Sequence, residues 1–245
     1  MKAMIFAAGI GKRLHPISEH TPKALVEIGG KPMLQRLAEK LIPLGVSEIV
    51  VNIHHHAEKM QAFIAQLNYP GVSFILSDET SQLLDTGGGL LKAKDHLTGE
   101  GPLILHNVDV LSAIDLREML DFHTSQGALA TLAVSQRSTS RYFLWNNNHL
   151  AGWENINTNQ KILCDHKPGQ EPEPKAFSGI HIIQPALLNL IVEQGIFSIN
   201  EVYLRLASQH PILAFEHDPA YWADIGTPQK LAHAEAMFAS HPDLF

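Results

Sequence analysis

The sequence has a single cysteine, Cys164, among its 245 residues. One thiol cannot form an intramolecular disulfide, so the chain is not a disulfide-stabilised scaffold. We expect Cys164 to be a small buried or half-buried residue in a reducing compartment. His166 lies close to it in sequence, but no motif of a nucleophilic cysteine surrounds the pair, and covalent catalysis is not expected.

Long hydrophobic runs and excess positive charge are also missing. The apolar part of the opening segment MKAMIFAAGIGKR is shorter than the core of a signal peptide or a membrane span, so we expect a cytoplasmic protein with no membrane partner. The chain has 18 Lys and Arg against 25 Asp and Glu, a net charge of -7, which argues against nucleic acid as a partner. Any phosphate site must therefore be a local pocket of positive charge.

Short apolar runs alternate with amphipathic segments in the first half of the chain. The predicted strands are AMIFAA, EIVVNI, VSFILS and PLILHNVD, and the predicted helices are PMLQRLAEKLIPLG, AEKMQAFIAQL and GGLLKAKDHL. Repeated strand–helix–strand order implies right-handed crossovers. We therefore predict an α/β fold with a doubly wound, mostly parallel sheet covered by helices.

The second half is less regular and richer in β patterns. We predict a helix at DLREMLDFHTSQ, strands at ALATLAVS and AFSGIHII, a hairpin at YFLWNNNHLAGWEN and a proline-rich loop at HKPGQEPEPK. Helices at ALLNLIVEQ and INEVYLRLA, a strand at ILAFEH and a final helix opening at Thr227-Pro228 follow. With no repeat and no long linker, residues 1–245 are predicted to form a single domain.

The loop FAAGIGKRLHPISEHTPKAL fits neither common phosphate-binding pattern. Arg13 stands where a Walker A loop needs Ser or Thr, and Leu14 stands where the dinucleotide fingerprint has its third glycine. Gly9 and Gly11 nevertheless allow backbone amides to approach a ligand. The alternative is a solvated surface loop.

Three cations follow within this same loop: Lys12, Arg13 and Lys23. Pro16 and Pro22 stiffen the backbone that carries them. Several held cations beside exposed amides suit the binding of several phosphates of one nucleotide.

The full spacing resembles the signature of the sugar-1-phosphate nucleotidyltransferases. Gly-x-Gly-x-Arg, two residues, Pro, five residues and Pro-Lys follow a buried strand, and LVEIGGKPML after them is also typical of that family. The resemblance covers most of the chain. It implies a Rossmann-like fold and a reaction of a nucleoside triphosphate with a sugar 1-phosphate, with Mg²⁺ as cofactor. Residues 1–110 would mainly bind nucleotide, and residues 111–245 would mainly form a small β-rich part for the sugar phosphate.

The resemblance also assigns individual roles. Arg13 and Lys23 would be catalytic, the metal ligands would be Asp109 in LILHNVD and Asp224 in YWADIGTP, and the backbone around Ala8, Gly9, Gly11 and Lys12 would hold the nucleotide phosphates. Asp224 could instead be a capping residue before the helix at Thr227. Val108 stands where the family has glycine, and we expect it to narrow the sugar side.

Two further segments match the family's substrate contacts. LLDTGGGLLKA resembles the segment that packs against the nucleobase, through Gly87, Gly88 and Gly89, although these could simply form a glycine-rich helix entry. Ser178 and Gly179 in FSGIHII would contact the sugar. Lys167 in DHKP would bind the sugar phosphate, while His166 replaces the acid that related enzymes carry there.

Fifteen histidines invite a metal hypothesis, above all the run His54–His56. Successive strand residues point to opposite faces, and no second zinc-like pair accompanies the run, so we expect a loop and helix entry instead. We expect Trp145 and Trp153 to pack in the core or hairpin rather than stack on a base.

The substrates are narrowed only by likeness within the family. The compact length, DTGGGL and NIHHHAEKM resemble uridylyltransferases acting on N-acetylmuramate 1-phosphate in cell-wall recycling, which we favour, and short mannose-1-phosphate guanylyltransferases. The C-terminal hexapeptide repeats of longer relatives are missing, so no trimerising module is expected, and the chain is predicted to be a monomer or small homo-oligomer. The alternative from another class is a non-catalytic, nucleotide-binding regulatory module.

Overall fold

The computed structural model describes residues 1–164 and 171–245. The first half alternates strands and helices in this order: β1 (Lys2–Phe6), β2 (Glu27–Ile28), β3 (Lys31–Pro32), α1 (Met33–Leu41), β4 (Glu48–Ile53), α2 (Ala57–Ile64), β5 (Ser73–Asp78), α3 (Asp85–Lys92), α4 (Lys94–Leu97), β6 (Leu103–Asn107) and β7 (Val110–Ser112).

The second half is richer in strands. Its elements are α5 (Leu116–Ser125), β8 (Ala130–Ser135), β9 (Arg141–Asn146), β10 (His149–Asn155), β11 (Gln160–Leu163), β12 (Glu173–Ile183), α6 (Leu187–Leu190), α7 (Ile199–Leu206), β13 (Ile212–Glu216), β14 (Trp222–Asp224) and α8 (Pro228–Ser240).

One large sheet, with the strand order β11-β10-β13-β8-β12-β6-β1-β4-β5, connects the two halves of the chain. Strands β6, β1, β4 and β5 are parallel, as the alternating pattern predicts. Strand β12 joins them antiparallel to β6 and continues the sheet into the second half, where β9 and β10 form the predicted hairpin. The α/β fold class is confirmed, and the sheet is mixed, with its parallel part confined largely to the first half.

The central strands of this sheet are buried on both faces. Along β1, Ala3 and Ile5 belong to one apolar cluster, whereas Met4 and Phe6 belong to another, because successive strand residues point to opposite faces. A strand buried on both faces reads as a continuous apolar run, which is why β1 is recognisable in the sequence. A third, smaller cluster packs Leu14 of the opening loop against α8.

Two second-half predictions were wrong in their boundaries. Residues 173–175, predicted as proline-rich loop, begin β12 and pair with β9, where Lys175 is buried and forms ion pairs with Glu216 and Glu173. The helix predicted through residue 194 ends at Leu190, and the chain continues extended at Ile191. The β-branched Ile191 and Val192 disfavour helix, and Gly195 adopts a positive φ of 76°.

Among the residues that the structure describes, no helix combines the length and apolarity needed to cross a membrane.

Candidate active site

The loop after β1 is supported by a buried polar contact. The backbone amides of Ala7 and Ala8 donate to Oδ1 of Asn52, at 2.6 and 3.2 Å, and Nδ2 of Asn52 donates to the fully buried Glu79 at 2.8 Å. Because Asn52 lies near the end of β4, the sheet itself fixes where the loop begins. The next residue, Gly9, has nothing within 4 Å of the position that a Cβ would take. The backbone at Gly9 is therefore open to a ligand.

The rest of the loop is held at several points. Leu14 is completely buried, the ring of His56 lies 3.1 Å from the carbonyl oxygen of Ser18, and Lys59 donates to that of His20 at 2.5 Å. Gly11 adopts a left-handed conformation with φ 70°, which a glycine accommodates without strain. The backbone of the loop is thus held at several points along its length.

The two predicted metal aspartates meet through a small sheet. Asp109 follows β6, Asp224 ends β14, and β14 pairs antiparallel with β7, which starts one residue after Asp109. The backbone amide of Ile225 donates to the carbonyl oxygen of Asp109 at 2.9 Å. Residues far apart in the sequence are therefore brought to one place.

Both carboxylates are engaged by lysines. Nζ of Lys23 donates to Oδ2 of Asp109, and Nζ of Lys230 donates to Oδ2 of Asp224 at 2.5 Å. Oδ1 of Asp224 also accepts the backbone amide of Gly226 at 3.0 Å. Asp224 therefore stabilises the turn before α8, which agrees in part with the capping alternative. The N-cap residue itself is Thr227.

Gly226 marks the point where the charged groups converge. A Cβ on this buried glycine would lie 2.7 Å from Oδ1 of Asp224, 3.6 Å from a guanidinium nitrogen of Arg13 and 3.7 Å from Nζ of Lys23. Lys23 in turn contacts Asp109. The structure thus brings together all four predicted catalytic and metal-binding side chains: Arg13, Lys23, Asp109 and Asp224.

A cavity of ≈570 Å³, which we call the first cavity, opens beside this cluster. Its walls include Ala8, Gly9, Lys23, Asp109 and the side chain of Asn52. Gly11, Lys12 and Arg13 lie outside its lining. Val108 is buried in the wall of this cavity, and its expected effect on the sugar side stays a prediction.

Gly87, Gly88 and Gly89 are buried within α3. The amides of Gly87 and Gly88 donate to the carbonyl oxygen of Phe197, and a Cβ on Gly87 would lie 2.4 Å from the Phe197 ring. A Cβ on Gly89 would lie 2.7 Å from the Glu79 carboxylate. These contacts are those of a glycine-rich helix entry, which was the alternative to contact with the nucleobase. The residues of this segment that line the first cavity are Leu83, Asp85 and Thr86.

A second cavity, of ≈790 Å³, adjoins the first and shares Asp85, Thr86 and Asn107 with it. Of the predicted sugar contacts, Ser178 is completely buried and its hydroxyl lies 2.7 Å from the His217 ring. Gly179, with φ 77°, packs closely against the Asn107 amide. Both thus lie behind the cavity wall and support it.

The remaining predictions for this side have different outcomes. Lys167 and His166 lie outside the described residues. Trp145 is fully buried, as expected, and Trp153, in the hairpin strand β10, packs half-buried against the core as expected and also lines the second cavity. Cys164 is half-buried, in agreement with the prediction.

The histidine run serves packing and hydrogen bonding. His54 lies 2.7 Å from the Glu79 carbonyl oxygen, and the rings of His55 and His56 are 3.9 Å apart. Within residues 1–164 and 171–245, no three His, Cys, Asp or Glu side chains are arranged to hold a metal ion. A divalent ion at Asp109 and Asp224 would therefore complete its shell with ligands other than these side chains.

Sequence reasoning missed Asn52, Glu79, Asn107 and Arg137. The signal for Asn52 was present, because an amide inside the apolar run EIVVNI needs a buried partner. The same holds for Asn107 in LILHN. For Glu79 and Arg137, which lie outside the strands, no local pattern indicates burial.

The doubly wound sheet, the ordered glycine loop and the paired aspartates at the carboxyl ends of strands define a nucleotide-binding enzyme of the nucleotide-diphospho-sugar transferase fold. The model of the nucleotidyl transferase family matches residues 2–241, and the chain belongs to that family.

Individual relatives agree with this assignment. An N-acetylmuramate alpha-1-phosphate uridylyltransferase of Caulobacter vibrioides is 29% identical over 97% of this chain and 96% of its own length. Mannose-1-phosphate guanylyltransferase 1 of Arabidopsis thaliana is 31% identical over 94% of this chain, which spans only 62% of that protein. The structure of a UDP-glucose pyrophosphorylase from Acinetobacter baumanii, 18% identical, superposes with a TM-score of 0.76 over 99% of this chain and 95% of its own length, and shows the shared fold.

Proposed function

We propose that the chain transfers a nucleotidyl group from a nucleoside triphosphate to a sugar 1-phosphate, releasing pyrophosphate. The observation that carries this proposal is the convergence of Arg13, Lys23, Asp109 and Asp224 around Gly226, beside the first cavity. A regulatory module freed from catalysis would have no need to keep all four. The adjoining second cavity offers room for the sugar phosphate.

The reaction needs little acid–base chemistry. A phosphate monoester, with a second pKa of about 6, is already ionised at neutral pH, so its oxygen can attack the α-phosphorus directly. A bond forms between that oxygen and the α-phosphorus. The bond between the α-phosphorus and the oxygen that bridges it to the β-phosphorus breaks, and pyrophosphate leaves. The protein must align two polyanions and neutralise their charge.

The charged side chains divide this task. Lys23 lines the first cavity and would meet negative charge at the α-phosphate. Arg13, with Lys12, would bind the departing pyrophosphate, because in the described part of the chain neither side chain has a hydrogen bond or ion pair. Before pyrophosphate is released, the open backbone at Gly9 would bind the phosphates of the nucleoside triphosphate.

Asp109 and Asp224 fit a divalent cation. Each is a hard oxygen ligand, the two come from joined segments, and Mg²⁺ commonly uses one or two carboxylates together with substrate phosphates. When bound, Mg²⁺ would neutralise charge on the phosphate oxygens. The two aspartates would hold it, and Lys23 and Lys230, which form ion pairs with these carboxylates, would turn to the incoming phosphates instead.

The favoured substrates are UTP and N-acetylmuramate 1-phosphate. The support is the match over nearly the full length of both chains to the Caulobacter vibrioides uridylyltransferase. GTP with mannose 1-phosphate is the second candidate, favoured by the higher identity to the Arabidopsis thaliana guanylyltransferase.

The test is a matrix of nucleoside triphosphates against sugar 1-phosphates, with pyrophosphate release measured with and without Mg²⁺. We expect magnesium-dependent turnover that is highest for UTP with N-acetylmuramate 1-phosphate. Highest turnover for GTP with mannose 1-phosphate selects the second candidate. Nucleotide binding without turnover across a broad panel would establish the non-catalytic module instead.

A further inference from the structure

The second cavity has an apolar floor and a polar rim. Phe143, Trp153 and Phe177 supply aromatic surface, and Asn155 and Gln160 supply hydrogen-bonding groups. Such a mixture suits a sugar, whose ring presents both C–H surface and hydroxyl groups. Two arginines, Arg137 and Arg141, line this same cavity and are not accounted for by a neutral sugar.

Arg137 is a half-buried cation without a carboxylate partner in the described ranges. Its guanidinium lies 3.9 Å from the ring centroid of Trp222, and one terminal nitrogen donates to the carbonyl oxygen of Phe177. The Nε atom is inaccessible to solvent and has no hydrogen-bond partner. Burial lowers the pKa of Arg137, and the negative charge of Asp224 opposes this effect.

A buried guanidinium nitrogen without a hydrogen-bond partner is unfavourable, and an anion in the cavity would favour the charged side chain. Trp222 is two residues before Asp224, so Arg137 borders the proposed reaction centre. Its position is that of a residue that binds the phosphate of a sugar 1-phosphate where this enters the second cavity.

Arg141 differs from Arg137 in its surroundings. It is solvent-exposed at the start of β9, opposite Asn155 on β10. Among the residues that the structure describes, its guanidinium has no hydrogen bond or ion pair. The carboxylates that share the cavity already have partners, since Asp85 accepts the amide of Thr86 and Glu201 accepts that of Ser198.

We propose that the second cavity recognises a sugar 1-phosphate that carries a second acidic group, with Arg137 binding the phosphate and Arg141 binding the carboxylate. This inference rests on the proposed function and deepens it, because it names the residues that select the sugar. Two cations at separate points of one cavity distinguish a doubly acidic sugar from a neutral one. The planar guanidinium is well suited to both anions, since it can bind each through two hydrogen bonds.

The experiment compares N-acetylmuramate 1-phosphate with N-acetylglucosamine 1-phosphate, which lacks only the carboxylate-bearing ether substituent. With UTP and Mg²⁺, kcat and KM are measured for the wild-type chain, Arg141→Gln, Arg137→Gln and Arg137→Lys. The matched control is Lys161→Gln, which removes an exposed cation of β11 outside the cavity lining. Thermal melting verifies that each variant is folded, and Arg137→Lys supplies a milder change at the buried position.

We expect the wild-type chain to prefer the acidic sugar by at least roughly tenfold in kcat/KM, the effect of one charge-assisted hydrogen bond. Arg141→Gln should abolish this preference by raising KM for the acidic sugar alone. Arg137→Gln should raise KM for both sugars roughly tenfold or more, with a smaller rise for Arg137→Lys, and Lys161→Gln should change neither.

Equal effects of Arg141→Gln on the two sugars, or no effect, overturn the assignment of Arg141. Normal KM values in folded Arg137→Gln overturn that of Arg137. If no pair of substrates is turned over, the proposed function fails. The Kd values of the two sugar phosphates, measured by calorimetry for each variant, then test the inference, and they should change as described for KM.

Discussion

Lys23 is the residue for which the structure gives the sharpest expectation. Its ammonium group contacts Asp109, lines the first cavity and lies near Asp224 and Arg13. Lys23→Ala should lower kcat by roughly 10²–10³, on the order of 3–4 kcal/mol, by analogy with the loss of one donor that stabilises transition-state charge. Steady-state measurement of pyrophosphate release provides the value.

Lys31→Ala is the matched control for this substitution. Lys31 also forms a close ion pair, with Glu39, but lies outside the lining of either cavity. We expect it to keep near-normal turnover. Near-normal turnover of Lys23→Ala as well would remove Lys23 from the catalytic residues.

The buried histidines determine how the fold responds to acid. Burial lowers the pKa of His106 and His181 to about 3 and that of His123 to about 4, below the value of 6.5 expected in the unfolded chain. The unfolded state therefore binds more protons as the pH falls below 6.5, and stability that is complete above this pH is lost progressively below it. At pH 5.5 each histidine should lower the free energy of unfolding by roughly 1 kcal/mol.

Urea unfolding at pH 7.5 and 5.5 measures this loss. His123 lies outside both cavities, hydrogen-bonded to Thr131, so His123→Gln isolates one titration from the proposed chemistry. The variant should lose less stability between the two pH values than the wild-type chain, by roughly 1 kcal/mol. An unchanged difference would mean that His123 is not held neutral in the fold.

At the scale of elements, glycines that look alike in sequence differ in their surroundings. A methyl group at Gly87 would collide with the Phe197 ring, whereas one at Gly9 would meet nothing within 4 Å. Gly87→Ala should therefore destabilise the fold by roughly 1–3 kcal/mol, as overpacking does. Gly9→Ala should leave stability within about 0.5 kcal/mol and raise KM for the nucleotide, because its methyl group faces the first cavity.

Thermal melting and nucleotide kinetics on both variants distinguish these roles. Loss of stability in Gly9→Ala, with none in Gly87→Ala, would reverse the assignment of the two glycines.

The sequence predicted well those elements whose pattern is set by burial. The doubly buried β1 and β4 and the amphipathic α1 were recognisable because their apolar periodicity reflects the sheet and helix that they form. The start of β12 was not, because Pro174 and Lys175 are typical of loops, and only the ion pairs of Lys175 explain its burial. Long-range partners of this kind leave no local trace in a sequence.

The candidate site likewise contains residues that the sequence indicated and residues whose placement depends on long-range partners. Asp109 and Asp224 were predicted through a family pattern, yet their proximity depends on the pairing of β7 with β14. The three glycines at positions 87–89 indicated that another group approaches the backbone closely. The sequence could not tell whether that group is a ligand or the ring of Phe197. Arg137 escaped notice because nothing in its sequence surroundings indicates the stacking on Trp222.

At the scale of the whole molecule, the two aspartates proposed as metal ligands belong to different halves of the chain. Asp109 follows a strand of the first half, and Asp224 ends the last strand of the second. Mg²⁺ and UTP together should therefore stabilise the fold by about 2.7 kcal/mol when UTP is at 100 times its Kd. For a chain of this size, this corresponds to a rise in Tm of roughly 5–10 °C.

Asp224→Asn should lose the magnesium-dependent part of this rise in a thermal-shift titration. Asp243→Asn, which changes an exposed carboxylate near the C-terminus, is the control and should keep it. A full magnesium-dependent rise in Asp224→Asn would exclude Asp224 as a ligand.

The lysine contacts of the two aspartates have one more consequence. Lys23 and Lys230 neutralise the carboxylates of Asp109 and Asp224, so these four side chains form an internal salt. We expect binding of the nucleotide with its divalent cation to be an exchange of counterions, in which each lysine leaves a carboxylate for a phosphate. In this way a chain with a net charge of -7 would hold two of its cations beside the proposed reaction centre while their charge is balanced by carboxylates.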